Sequence, residues 1–383
     1  STNVMVTTAR CLSDDLNATQ TLDLSATFGS SYDLKRFVIS YNGTPPSDRY
    51  FVFKSVTLDD IKAPDATPPT VTSINRVTNA LTSASSVDYT VTFSEDVTGV
   101  DTSDFTMTAT GTASGTIASV TQVNASTYTV AVNGISGDGT LRLDLNNAGT
   151  AIADAAGNAI TTGYTSGQLY TFDHTAPTVT SVTSSTANGT YKAGDSISIQ
   201  VSFGESVTVT GTPQLTLETG TTDRIASYLS GTGSNQLTFT YTVQAGDTSA
   251  DLDYVGINAL ALNGGTIRDA AGNSASLTLA SPGTSNSLSA NKNIIIDGVA
   301  PTVTSVSVPA NNTYIAGQNL DFTVNASENI IVDTSGGTPQ IAVVVGATTR
   351  QASYVSGSGS PAIVFRYTVV PGDFDANGVT VAG

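Results

Sequence analysis

The chain has 383 residues, with 31 acidic against 14 basic side chains, a formal net charge of −17 and only 12% charged residues. This balance argues against nucleic acid, because phosphate binding needs a basic face that releases counterions, and an anionic membrane surface repels the chain for the same reason. Cys11 is the one cysteine, so no intramolecular disulfide forms, and no apolar run approaches the roughly eighteen residues that a membrane span needs.

The opening STNVMVTTARC lacks a charged start followed by an apolar stretch, so no secretory signal is predicted and the sequence is expected to be an internal piece. Within residues 1–64, TQTLDLSA, KRFVISYNG and RYFVFKSVTLDDI are predicted strands. With its closing Asp59-Asp60-Ile61 turn, this segment resembles the last half of a jelly-roll domain of the carbohydrate-binding-module type. Roughly sixty residues are too few for a whole jelly roll, so this end is expected to be cut.

From Asp65 onward the chain repeats. Pro-Thr-Val-Thr-Ser followed by Ile or Val begins at Pro69, Pro177 and Pro301, 108 and 124 residues apart, which is a domain-sized period. Each copy follows an acidic linker, beginning at Asp65, Asp173 or Asp297 and stiffened by Pro. Val87, Tyr89, Val91 and Phe93 alternate with Asp88, Thr90 and Thr92; Ile197 to Phe203 and Leu237 to Val243 do the same. Period two in β-branched and aromatic residues predicts half-buried strands, and short turn clusters between them predict an all-β sandwich. The block GTPQLTLETGTTDRIASYLSGTGSNQLTFTYTVQAGD (211–247) aligns without gaps on GTPQIAVVVGATTRQASYVSGSGSPAIVFRYTVVPGD (337–373). The expected domains are therefore 65–173, 174–297 and 298–383, in linear array. The third stops before counterparts of ALNGGTIRDAAGN and NKNIIID, so it is expected to lack about two strands, with a further such loop soon after Gly383.

These units, together with VTFSEDVTGVDTSDFTMTATGTASGTIASV in the first, resemble the bacterial immunoglobulin-like domains strung through large secreted adhesins and surface proteins. The resemblance covers Asp65 to Gly383. It implies an all-β fold of tandem sandwiches, a secreted or cell-surface location, and calcium (Ca2+) at many domain junctions.

Topology brings distant acids together. Strands of a sandwich alternate in direction, so the linker and the BC and FG loops share one pole. In the first unit that pole collects Asp65, Glu95, Asp154 and Asn158; in the second, Asp173, Glu205, Asp269 and Asn273; in the third, Asp297 and Glu328. The FG residues belong to one repeated word, Asp-Ala-Ala-Gly-Asn. At the opposite pole stand Asp138, the trio Asp247, Asp251 and Asp253, and Asp373, Asp375 and Asn377 in a DxDxNG loop like the start of an EF-hand. Calcium takes six to eight oxygens in a flexible shell. The competing reading is turn chemistry, because Asp, Asn and Gly also make ordinary turns.

Catalysis is not expected. His174 is the one histidine and sits in a linker, no G-x-S-x-G nucleophile turn occurs, and carboxylates that recur in every repeat would duplicate an active site. A lone His and a lone Cys do not make a zinc site. Tyr228 and Tyr354 are expected to be packing residues. The function expected is a surface stalk that positions binding domains or mediates adhesion. A cell-surface or glycan ligand would then be bound by other domains. Two alternatives stay open: glycan binding through the jelly-roll segment, and self-association into a fibre or sheath.

Overall fold

The computed structural model describes residues 65–382 and, before them, the backbone of β1 (Arg36–Ile39) and β2 (Val56–Asp59), which pair antiparallel. These strands fall within KRFVISYNG and RYFVFKSVTLDDI; the rest of the predicted jelly-roll segment, with Cys11, lies outside the described residues. The chain divides into two compact units, Ser1–Thr175 and Ala176–Gly383.

In the first unit ten strands follow in order. They are β3 (Val71–Arg76), β4 (Leu81–Thr82), β5 (Ser86–Phe93), β6 (Val97–Thr98), β7 (Phe105–Ala109), β8 (Ser114–Asn124), β9 (Thr127–Ser136), β10 (Gly139–Leu145), β11 (Ala153–Asp154) and β12 (Leu169–Phe172). One sheet has the order β3-β5-β9-β8 and the other β4-β12-β10-β7, while β6 pairs with β11. This is the immunoglobulin-like arrangement, with strands A, B, E and D on one face and A′, G, F and C on the other.

Alternation in the sequence produces this core. Along β5, Val87, Tyr89, Val91 and Phe93 turn inward and are buried, and the intervening polar residues turn outward. Each large side chain taken wholly out of water contributes about 1.5–3 kcal/mol. The tyrosines also need partners for their hydroxyls. Tyr89 donates to the Leu141 carbonyl at 2.8 Å and Tyr128 to the Val97 carbonyl at 2.8 Å, which ties sheet to sheet.

The second unit holds two cores, one spanning Val182 to Ile296 and one spanning Leu320 to Tyr367. The strands of the first are β13 (Val179–Ser184), β14 (Gly189–Tyr191), β15 (Ser196–Thr210), β16 (Gln214–Glu218), β17 (Arg224–Ser230) and β18 (Ser234–Thr242), then β19 (Thr248–Ser249), β20 (Asp253–Tyr254), β21 (Leu260–Ala261) and β22 (Thr266–Arg268). A four-residue helix, α1 (Leu288–Asn291), leads into β23 (Ile294–Asp297). The main sheet curls as β13-β15-β18-β17-β16-β20, and β23 lies between β14 and β19. The last sandwich comprises β24 (Val303–Ser307), β25 (Asn319–Ile330), β26 (Gln340–Val345), β27 (Thr348–Ser356), β28 (Ser360–Thr368) and β29 (Thr380–Val381), in the order β24-β25-β28-β27-β26-β29.

The gapless sequence block is a structural repeat. Gln214 pairs with Ser227 as Gln340 pairs with Ser353, and the pairings that follow, β17 with β18 and β27 with β28, both bulge after the tyrosine, between Tyr228 and Ser230 and between Tyr354 and Ser356. Each tyrosine packs edge-on against a core ring, Phe239 or Phe365, and its hydroxyl accepts the backbone N–H of Thr232 or Ser358. Both are packing residues of a turn. The glycine that follows holds a left-handed φ of +111° at Gly231, where a Cβ would lie 2.2 Å from the Gln236 carbonyl oxygen. No side chain fits there without moving backbone. Gly231→Ala is expected to destabilise the sandwich by about 1–3 kcal/mol, measured by chemical denaturation.

Candidate functional site

The two Asp-Ala-Ala-Gly-Asn words fold into one loop, closed by its own first residue. Asp154 is buried, and its Oδ1 accepts the N–H groups of Ala156 (2.9 Å) and Asn158 (2.8 Å), while Oδ2 accepts Asn158 Nδ2 (2.7 Å). Asp269 is buried likewise; its Oδ1 accepts the N–H groups of Gly272 (2.7 Å) and Asn273 (2.8 Å), and its Oδ2 accepts Asn273 Nδ2 (2.7 Å). Gly157 and Gly272 supply the positive φ that lets the chain turn so tightly (+88° and +101°). In the first sandwich the loop lies between β10 and β12, the FG connection, and in the second it follows β22.

The linker aspartates share a second local device. Asp65 Oδ1 accepts the N–H of Thr67, Asp173 Oδ1 that of Thr175, and Asp297 Oδ1 that of Val299. Each is therefore the head of a small turn. In the first unit the linker and the loop are also joined directly, since Asn158 Nδ2 donates to the Asp65 carbonyl at 3.0 Å.

That contact brings three carboxylates together. Asp65, Glu95 and Asp154 each present an oxygen, all within 4.8 Å of one another. They open onto a cleft of about 440 Å³ whose wall also includes Asp96, Ala155 and Ala156. Electrostatics divides the three. Partial loss of water, then repulsion from Asp65, Asp154 and Asp96, holds the Glu95 carboxyl above its usual range. The Asp154 carboxyl is lowered, chiefly by the Asn158 side-chain hydrogen bond and the loop N–H groups, against some desolvation. Asp154 is thus held by donors of its own loop, while the repulsion among the three carboxylates bears on Glu95.

The second unit repeats parts of the pattern. Glu205 and Asp269 offer oxygens within 4.8 Å of one another. Glu328, the counterpart of Glu95 and Glu205 at the end of its B strand, has Oε1 buried with no hydrogen-bond partner among the described residues. A buried carboxylate oxygen without a donor is costly unless a proton or a cation meets it.

The acids of the opposite pole are differently employed. Asp247 Oδ1 accepts Arg224 Nε at 2.8 Å, and its Oδ2 accepts the Tyr241 hydroxyl at 2.6 Å and the Gln244 N–H at 2.8 Å. Asp373 repeats the arrangement: Oδ1 with Arg350 (Nη2 at 2.8 Å), and Oδ2 with the Tyr367 hydroxyl and the Val370 N–H. The arginine already neutralises the charge that a cation at Asp373 would meet. Asp375 accepts the N–H groups of Asn377, Gly378 and Gly346, so the DxDxNG word is a closed turn. Asp253 holds the approach to α1 through the Gly283 N–H and the Ser289 hydroxyl. Asp138 accepts the His174 N–H at 2.7 Å, and the His174 ring stacks on Phe172.

No protein-family description matches the chain, and no curated protein matches it. Among solved structures, it is similar to FdeC, an adhesin of Escherichia coli, at 14% identity and a TM-score of 0.30, over 81% of this chain and 90% of that one. It is also similar to the MG0-NIE-MG1 portion of Escherichia coli alpha-2-macroglobulin, at 9% identity and a TM-score of 0.21, over 82% of this chain and 93% of that one.

Proposed function

We propose that this chain is a non-catalytic spacer of immunoglobulin-like modules in a bacterial surface or secreted adhesin, with calcium clamping each linker to the sandwich that follows it. The observation that carries this reading is the meeting of a linker carboxylate, Asp65, with Glu95 and Asp154 of the sandwich behind it. Two further features support the fit: the raised proton affinity of Glu95 and the buried Oε1 of Glu328, which has no hydrogen-bond partner among the described residues. Asp65, Glu95 and Asp154 would hold the ion, with the Asn158 amide positioning Asp154. A bound calcium ion would supply two positive charges to a cluster that otherwise repels itself. Clustered hard oxygens suit calcium, and the irregular open cleft suits it better than magnesium, which demands tight octahedral geometry.

In sequence, Asp173 stands to Glu205, Asp269 and Asn273 as Asp65 stands to Glu95, Asp154 and Asn158, and Asp297 stands to Glu328 as Asp65 to Glu95. The same clamp is proposed at each linker. Its consequence is mechanical: without the ion, repulsion loosens each linker from its sandwich, and with it the linker direction is fixed. A chain of such joints projects what it carries away from a cell surface.

Small-angle scattering of the chain with excess calcium and with chelator tests the stalk. A shorter, more flexible particle after chelation is expected; an unchanged maximum dimension and flexibility would sink the reading. Glu95→Gln isolates the site. It removes a repelled charge while leaving the Asp154 loop intact, so the unfolding temperature in chelator should not fall below that of the parent. Calcium affinity, read by isothermal titration, should drop by at least tenfold at this site.

A further inference from the structure

Strand D is enclosed in two of the three sandwiches and open in one. In the second, β17 lies between β18 and β16, and in the third β27 lies between β28 and β26, so each is paired along both edges. In the first, β7 joins the opposite sheet instead, and β8 pairs with β9 alone among the described residues. Burial follows the pairing. Ala226 and Ala352, inward residues of β17 and β27, are fully buried. Ile117 and Val120 of β8 pack on the core only half-buried, and Val123 is 63% exposed.

β8 is also the longest edge strand among the described residues, eleven residues from Ser114 to Asn124. Its sequence, SGTIASVTQVN, holds no charge and no proline, two usual devices that keep such an edge from pairing. Bulges after Ser114, Ile117 and Gln122 interrupt its ladder with β9 and leave Ser119–Gln122 as a regular stretch. Register shows which backbone groups of that stretch face outward. The Phe93 N–H donates to the Ser126 carbonyl, so even-numbered residues from Ser126 to Val132 bond to β5 and the odd-numbered Thr129 and Ala131 bond to β8. The β8 residues opposite these two are Thr121 and Ser119. Val120 and Gln122 therefore turn their N–H and C=O groups to the open edge.

We propose that β8 is a homotypic docking edge, on which two copies of this chain pair antiparallel about a two-fold axis at Thr121. Val120 of each copy then exchanges main-chain hydrogen bonds with Gln122 of the other, and the two Thr121 residues stand opposite one another in a non-hydrogen-bonded pair. Charge and symmetry select a second copy as the occupant. The chain carries a net charge of −17, so copies repel over most of their surface, and β8 offers an uncharged strip where two backbones can meet. A two-fold contact presents the same patch from both sides, so this strand needs no complement but itself. Opposed β-branched threonines add a favourable cross-strand pair.

The test is analytical ultracentrifugation of the 383-residue chain under reducing conditions, so that Cys11 forms no intermolecular disulfide. A concentration-dependent dimer is expected, strengthened by added salt, which screens the repulsion. Gln122→Pro removes an outward N–H and no hydrogen bond to β9, so it should weaken dimerisation at least tenfold while the monomer keeps its unfolding temperature. A second variant reads the register without the proline. In a Cys11→Ser background, Thr121→Cys should form a disulfide-linked dimer with diamide at least tenfold faster than Ser227→Cys, a control on the exposed face of β17. A monomer at every concentration, a dimer untouched by Gln122→Pro, or cross-linking at Thr121→Cys no faster than at Ser227→Cys would each overturn the proposal.

Discussion

Asp247→Ala is expected to destabilise the second sandwich by about 3 kcal/mol, seen by calorimetry as a fall of roughly 10 °C in its unfolding temperature. The side chain is 1% exposed, and its two oxygens satisfy Arg224, the Tyr241 hydroxyl and the Gln244 N–H at once. Removing it leaves a partly buried guanidinium without its anion, and a buried hydroxyl and a backbone N–H without acceptors. Breaking one side of such a group costs more than the group contributes as a whole, because the stranded partners keep their desolvation penalty. A loss below about 1 kcal/mol would show that Arg224 and Tyr241 swing out to water at little cost. The same network gives the pH response. Burial raises the Asp247 carboxyl, but the hydrogen bonds from Tyr241, Arg224 and Gln244 outweigh it and leave the carboxyl below its usual range. A carboxyl lowered in the folded state contributes stability that is complete above the ordinary carboxylate range and is lost as pH falls through the lowered folded value. The Asp247→Ala protein should therefore lose less stability than its parent on acidification from about pH 5 to pH 2.

Asp154→Ala is expected to lower the unfolding temperature of the first sandwich in chelator and to abolish its calcium response. Three donors of its own loop converge on this carboxylate, so the loop loses its closure whether or not calcium is present. In the parent chain, calcium at a hundred times its dissociation constant should add about 2.7 kcal/mol by mass action. Calorimetry of both proteins, each with calcium and with chelator, separates the two effects. Asn158→Ala should lower the chelator baseline as well but keep part of the calcium response, since the three carboxylates remain. If Asp154→Ala retained the full calcium shift, the ion would be bound elsewhere.

Much of this was legible in the sequence for a physical reason. Period-two alternation from Val87 to Phe93 follows from the pleat, so β5 and its inward face could be read directly. Strand reversal sends linker, BC and FG loops to one end, which placed Asp65, Glu95 and Asp154 at the same pole, where their oxygens lie within 4.8 Å of one another. The acids of the other pole were not separable by composition. Asp373 read as a candidate ligand because its partner, Arg350, stands twenty-three residues upstream on another strand, as Arg224 stands to Asp247. The signal was present, since Arg, Tyr and Asp recur together through the gapless block, but a pairing across strands has no local signature. The double duty of Asn158, holding Asp154 and the Asp65 carbonyl with one amide, was equally hidden.

The parallel pairing of β14 with β23, and of β4 with β12, bears on how these modules would respond to a pull on their ends. In each case a segment near the entrance of the sandwich lies beside the strand by which the chain leaves. Tension on the two ends pulls these neighbours in opposite directions along their own length. The hydrogen bonds between them, among them Thr171 N–H to the Ala80 carbonyl at 2.7 Å, are then sheared together rather than peeled one by one. A module whose ends are latched this way yields abruptly and at higher force than one whose terminal strands unzip.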